Sequence, residues 1–215
     1  LNALLRQPGF ADSAIVVNVQ DFQFQSNQFP LQPSGAFLPS FSGTPMHRST
    51  YRNLGDSEDL VLAFADVVDN GTLAFKRSDN ITFGGVISGT GVVNQIGSGT
   101  LTLTGANTYN GGTNIKSGTL SVSSDGNLGS GGVVALSPNT TLKVTSTGTF
   151  THAATIAGSS TFFIAPATTT TWNGVIGDGT SAGTLNVSGG GTLILGAANS
   201  YSLGTRVIGG STLGI

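Results

Sequence analysis

The side chains able to do acid, base or nucleophilic chemistry are few in this 215-residue chain, and they are unevenly placed. Residues 1–80 carry 13 of the 18 Lys, Arg, Asp and Glu, whereas residues 81–215 carry only Lys116, Asp125, Lys143, Asp178 and Arg206. Asp56, Glu58, Asp59, Asp66 and Asp69 form the one acidic cluster. Converging carboxylates could act as general acid and base on a glycosidic bond or hold a cation; a solvated loop or cap accounts for them equally well. Asp125 and Asp178, the only carboxylates beyond Asn80, fall in separate segments and do not form such a group. His47, beside Arg48 and Arg52, and His152, in Thr151-His152-Ala153, have no partner close in sequence and read as surface or turn residues.

Three motifs mimic catalytic or phosphate-binding loops. Gly179-Thr-Ser-Ala-Gly183 fits the G-x-S-x-G string of a hydrolase nucleophile elbow, but that device needs a helix after the serine and a histidine later in the chain. Here a Gly-rich turn leads into an alternating stretch, Leu185 to Val187, and both histidines lie upstream. Gly111-Gly-Thr-Asn-Ile-Lys-Ser117 has Ile115 where a phosphate loop requires its second glycine. The G-x-G strings at Gly89, Gly97 and Gly177 lack the following helix that would hold a pyrophosphate. All read as turn glycines. Asn70, Asn80, Asn139 and Asn186 open N-x-S/T sequons, which a Thr-rich chain produces often and which matter only in a eukaryotic secretory setting.

The composition narrows the classes further. With no Cys there is no disulfide framework, thiolate metal site or cysteine nucleophile. A net charge of −2 leaves no electrostatic footprint for nucleic acid. No stretch approaches the roughly 20 apolar residues of a membrane-spanning helix, and Leu1 to Arg6 lack the form of a signal peptide. A chain that opens on Leu reads as a fragment or processed product. Of its 33 glycines, 28 lie beyond residue 80, so the regime changes near Asn80.

The elements that would position any site follow from an internal repeat. Gly99 to Ile115 aligns with Gly191 to Val207 at an offset of 92, with nine identities: Gly99/Gly191, Thr100/Thr192, Leu101/Leu193, Leu103/Leu195, Ala106/Ala198, Asn107/Asn199, Tyr109/Tyr201, Gly112/Gly204 and Thr113/Thr205. Around these, apolar residues recur as short alternating pairs such as Leu120/Val122, Leu142/Val144, Phe162/Ile164 and Leu185/Val187. Period two marks strands, closed by Gly, Asn or Ser turns, and no helical spacing is sustained over 81–215. Strands this short become stable when successive turns of chain stack in parallel at about 4.8 Å, which is a β-solenoid. The offset suggests four coils of about 23 residues per unit, roughly six coils over 81–215 and a rod on the order of 30 Å. Thr and Ser suit the outward faces, and glycines suit the corners.

The stretch Gly99-Thr-Leu-Thr-Leu-Thr-Gly-Ala-Asn-Thr-Tyr-Asn-Gly-Gly-Thr-Asn-Ile-Lys-Ser-Gly-Thr-Leu-Ser-Val122, preceded by Gly85-Val-Ile-Ser-Gly-Thr-Gly91, resembles the passenger-associated strand repeat of bacterial autotransporters. The second copy departs from it at Gly196, Leu203 and around Ser211 but keeps Ala198 to Tyr201. Asn70 to Phe75 and Asn80 to Phe83 read as a lead-in, so the likeness covers about residues 70–215. It implies an all-β fold, a right-handed parallel β-helix, exported by an outer-membrane barrel elsewhere in the parent chain and displayed at the cell surface. It says nothing of biochemical activity. Residues 1–70 form a less regular or partly β segment: Ile15 to Val19 and Phe22 to Phe24 alternate as strands, Gln28 to Pro45 looks irregular, and Asp56 to Ala65 suits either a capped helix or, in our preferred reading, a strand.

These readings assign no catalytic, cofactor or metal residue. The positions singled out are structural: Gly99, Leu101, Leu103, Asn107, Tyr109 and Gly112, with Gly191, Leu193, Leu195, Asn199, Tyr201 and Gly204. In them Asn107 and Asn199 would bond turn backbone while Tyr109 and Tyr201 pack across a corner; the alternative is a row of aromatic and amide side chains that binds glycan. The resulting expectation is a non-enzymatic stalk or display and adhesion scaffold, with a surface glycan, a host-cell molecule or a like chain as partner. The competing expectations are a carbohydrate-active β-helix enzyme, with its site between residues 56–69 and the first coils, and a self-associating aggregation protein.

Overall fold

In the computed structural model the described residues are 66–215, together with the backbone of one strand at Ala14–Val17. The expectations for residues 22–24, 28–45 and 56–65, and the side chains of His47, Arg48, Arg52, Asp56, Glu58 and Asp59, lie outside the described residues.

Inward alternation organises the whole solenoid. Each coil contributes one or two apolar side chains per strand to a central column, and the strands stack in three ladders whose pairings are all parallel among the described residues. The first ladder runs through β1 (Ala14–Val17), β3 (Thr72–Phe75), β6 (Val92–Gln95), β8 (Thr113–Ile115) and β10 (Val134–Leu136). The second runs through β4 (Ile81–Phe83), β7 (Thr100–Leu103), β9 (Thr119–Val122) and β11 (Thr141–Val144). The long strands β13 (Ala154–Ile164) and β15 (Ile176–Ser188) bend round the corner and serve both ladders, and β17 (Thr205–Val207) ends the second. On the third side, β2 (Val67–Val68) pairs β5 (Ile87–Ser88), and β12 (Gly148–Phe150), β14 (Thr169–Trp172), β16 (Thr192–Leu195) and β18 (Thr212–Gly214) stack higher up. Between them that side is carried by the turn at Asn107–Tyr109 and a short 3-10 turn, Asp125–Leu128, the one exception to the absence of helix among the described residues. The result is an all-β solenoid of about seven turns.

The core is a stack of layers. Leu101, Leu120, Leu142, Phe162 and Val187 superpose in register on the second ladder and are fully buried. Trp172 is fully buried, stacked on Phe150 at 5.2 Å and edge-on to Phe162 at 5.0 Å. Outward positions of the second ladder carry the threonine row Thr100, Thr119, Thr141 and Thr161. Such β-branched polar side chains cover a pleated surface without charge, which explains how a chain with 8% charged residues keeps its surface hydrated.

Two details correct the coil arithmetic. Leu101 stacks on Leu120 and Ser160 pairs Leu185, so a turn takes 19 residues in one place and 25 in another. More consequentially, the 92-residue offset is not a whole number of coils. From Leu101 four turns lead up the second ladder to Val187, but the repeat counterpart of Leu101 is Leu193, one side further on in the third ladder. One unit is thus four coils plus one face. The solenoid has about seven turns where roughly six were expected over 81–215, and it begins earlier, with β2 and β3 at residues 67–75.

Replacing Trp172 tests the layer model of the core. Trp172→Ala is expected to cost about 3–5 kcal/mol in denaturant unfolding, whereas Thr171→Ala, which faces outward on the same strand, is expected to change stability by at most about 0.5 kcal/mol.

Candidate functional site

The features shared by the two copies are corners tied together by amide side chains. Asn107 is 4% exposed; its Oδ1 accepts the backbone N–H of Ile87 one coil back (2.8 Å), and its Nδ2 donates to the carbonyl of Asn127 one coil on (2.7 Å). Asn127 in turn donates from Nδ2 to the carbonyl of Gly105 (2.9 Å), and its Oδ1 accepts the amides of Ser123 and Ser124. Tyr109 is fully buried and its hydroxyl bonds Thr113 Oγ1 at 2.6 Å; burial pushes its phenol up to about 12. The second copy repeats the geometry. Asn199 Oδ1 accepts the N–H of Ile176 (2.8 Å), and the Tyr201 hydroxyl bonds Thr205 Oγ1.

The remaining repeat positions are placed by packing. Leu101, Leu103, Leu193 and Leu195 are in the core. Gly112 and Gly204 occupy equivalent corners at φ of +94° and +81°, which L side chains rarely adopt. At Gly99 and Gly191 a Cβ would lie 2.0 Å from the Asp79 carbonyl oxygen and 2.3 Å from that of Ala165, so the adjacent coil excludes any side chain.

The sites weighed for chemistry resolve into coil-to-coil ties. Gly179 to Ala182 form an exposed bulge where β15 gains residues over β13, and Asp178 closes its base by accepting Gly183 N–H (2.7 Å) and Ser202 N–H (3.1 Å). The bonds from Ser202 and Gly183 hold the Asp178 carboxyl below its ordinary range. Lys116 is exposed at the end of β8 and Ile115 is buried, so the phosphate-loop lookalike lies across a strand and a corner.

His152 corrects the reading of a surface residue. Its side chain is 8% exposed, with Nδ1 2.6 Å from Asp125 Oδ1, and Thr151 Oγ1 donates to Asp125 Oδ2 at 2.6 Å. Burial works against the Asp125 charge, but the bonds from Thr151 and His152 outweigh it and keep the carboxyl low. The pair spans 27 residues and joins two coils, so no local motif announces it. Nε2 of His152 is buried and has no hydrogen-bond partner among the described residues.

Of the acidic cluster, Asp66 is exposed and accepts Val86 N–H (2.9 Å), while Asp69 is 1% exposed and is no solvated loop residue. Asp69 Oδ1 accepts Gly71 N–H at 3.0 Å, its Oδ2 has no partner, and burial raises its pKa. Among the described residues no three His, Asp or Glu gather as a metal site, and no helix is long and apolar enough to cross a membrane.

With this geometry in view, residues 93–122 and 185–215 match the family described as passenger-associated-transport-repeat. The chain carries autotransporter passenger repeats. Both matches start at the same point of the unit, in step with the 92-residue offset, and each contains one Asn-x-Tyr corner. The chain is also 41% identical over 73 residues to the adhesin BmaC autotransporter of Brucella suis biovar 1 (strain 1330). That match covers 33% of this chain and 2% of the relative's length. No solved structure matches.

The carboxylates generate opposite pH dependences. Asp125 and Asp178 titrate lower in the fold than unfolded, so they contribute stability above the ordinary carboxylate range that disappears as pH falls through their folded values. Asp69 titrates higher, so its ionisation costs stability as pH rises out of that range. Asp69→Asn is therefore expected to raise the melting temperature at pH 7 and to lose this advantage near pH 3. Asp125→Asn is expected to lower it at pH 7, with the difference shrinking on acidification; thermal scans from pH 3 to 7 distinguish the two signs.

Proposed function

We propose that this chain is a rigid segment of an exported, surface-displayed passenger, which serves as a stalk or display scaffold for adhesion. The observation that carries the reading is the use of its polar side chains. Asn107, Asn127, Asp125, Asp178 and Asn199 are each engaged by backbone or side-chain groups of a neighbouring coil. A protein built this way transmits position along its length, since each coil is fixed to the next by parallel ladders and by side-chain ties at the corners. The passenger repeats and the adhesin relative support surface display, with a glycan or host-cell molecule as the class of partner engaged by the whole passenger.

Removing one repeat tests the stalk. Deleting 92 residues between Gly99 and Thr192 joins equivalent points of the two copies and should shorten the particle by about 20 Å, as four coils and one face at roughly 4.8 Å per coil require. Small-angle scattering reads that length, and an unchanged maximum dimension would contradict the reading. Incubation of the intact chain with acidic and neutral polysaccharides, followed by assays for reducing ends and unsaturated products, is expected to give no turnover; sustained product formation would favour the enzyme instead.

A further inference from the structure

Charge is segregated by side in the described residues. All five cations, Lys76, Arg77, Lys116, Lys143 and Arg206, lie on the second ladder or on the corner that leads into it. Lys76 and Lys116 follow Phe75 and Ile115, which stack in register through Gln95, so these two exposed lysines stand in one column of that corner, two coils or about 10 Å apart. Lys143 is an outward position of β11, and Arg206 pairs with the outward Asn186 of β15. Arg77 alone of the five meets a carboxylate, Asp79 of the same corner. The other carboxylates lie elsewhere: Asp66, Asp69 and Asp125 border the third side, and Asp178 opens β15 on the first ladder. The chain's net charge of −2 thus hides a side with four positive charges and no carboxylate facing them among the described residues, spread over roughly 30 Å.

The same side leaves its hydroxyls unused. Those of Thr100, Thr119, Thr141 and Thr161 make no hydrogen bond to the protein among the described residues, whereas corner hydroxyls such as Thr140, Thr145 and Thr168 donate to backbone carbonyls. Lys143 is positioned rather than loose: its Nζ lies 5.4 Å from the ring centroid of Phe163, its register partner in the next coil. We infer that the second side of the solenoid is a binding face for an acidic polysaccharide lying along the coil axis. Its carboxylate or sulfate groups meet Lys76, Lys116, Lys143 and Arg206, and its neutral hydroxyls meet the threonine row. Spacing selects this polymer over other polyanions. A nucleic acid strand presents a phosphate about every 3.4 Å, roughly nine along this face, against four cations. A polysaccharide interleaves its acidic groups with neutral hydroxyl-bearing positions, as the face does. An anionic membrane would call for apolar side chains around the cations, and the outward positions of this ladder are mainly Thr and Ser. The inference deepens the surface-display reading and rests on it for the setting in which such a polymer is met; the face itself rests on where charges and hydroxyls fall.

Binding of the full chain to immobilised polygalacturonate, heparin and the neutral glucan dextran tests this. Binding to at least one of the two acidic polymers and not to dextran is expected, polygalacturonate assigning carboxylates and heparin sulfates as the groups recognised. It should fade as salt rises from about 0.05 M to about 0.5 M, over which the screening length contracts about threefold. The variant Lys76→Gln/Lys116→Gln/Lys143→Gln is expected to bind about tenfold more weakly, and the charge-keeping Lys→Arg variant at the same positions to stay within about threefold of the unaltered chain. Asp66→Asn, which changes net charge on the third side instead, is expected to leave affinity within about twofold. Emission from the buried Trp172 confirms that each variant is folded. No binding to either acidic polymer, equal binding to dextran, or full affinity in the Lys→Gln variant would overturn the inference. Equally tight binding to single-stranded DNA or to anionic lipid vesicles would overturn it as well. None of these outcomes alters the shortening expected on deleting one repeat, so the binding face and the stalk fail separately.

Discussion

Every coil of this solenoid depends on the next one for its hydrogen bonds. A parallel strand of three or four residues has almost no local partners, so its amides and carbonyls are satisfied only by the coils above and below. Strands solve this with ladders. Corners cannot, because the backbone turns and its donors point away from a regular neighbour, and buried unpaired donors cost more than the bonds themselves contribute. Amide and carboxylate side chains fill that gap: Asn107 and Asn199 reach back to Ile87 and Ile176, Asn127 reaches back to Gly105, and Asp178 and Asp125 accept from residues of the following coil.

That constraint also accounts for the scarcity of available chemistry in the upper coils. A carboxylate bonded from two sides, like Asp125 between Thr151 and His152, is engaged in holding one coil to the next. Solvent contact falls instead to hydroxyl rows such as Thr100 to Thr161, whose spacing repeats with the coils. The solenoid therefore combines a hydrated exterior with few ionisable groups, a combination suited to a spacer. Asp69 marks the other extreme, a carboxyl buried with one oxygen unpaired at the lowest fully described corner.

Much of the fold was legible in the sequence because inward and outward positions alternate within each strand. Leu101/Leu103, Leu120/Val122 and Leu142/Val144 announced strands, and the passenger-repeat resemblance announced how they stack. The coil length was misread for a physical reason. The same Thr-Leu-x-Leu pattern serves the second side at residues 100–103 and the third at residues 192–195, so identical residues do not identify a face, and the 92-residue period looks like whole turns when it is four turns and a side. Contacts across coils were equally hidden. His152 and Asp125 are 27 residues apart, a separation that becomes meaningful only when the local coil length is known. The burial of Asp69 was obscured by its acidic neighbours, which made the whole group look solvated.

The most direct test of this account is the exchange of the side-chain amide protons of Asn107 and Asn127. If these amides tie coil to coil from inside the corner, their protons, observed in a labelled sample, should exchange several orders of magnitude more slowly than that of an exposed asparagine such as Asn110. Rates for Asn107 and Asn127 equal to that of Asn110 would show that the corners are not held by these bonds and would contradict the account.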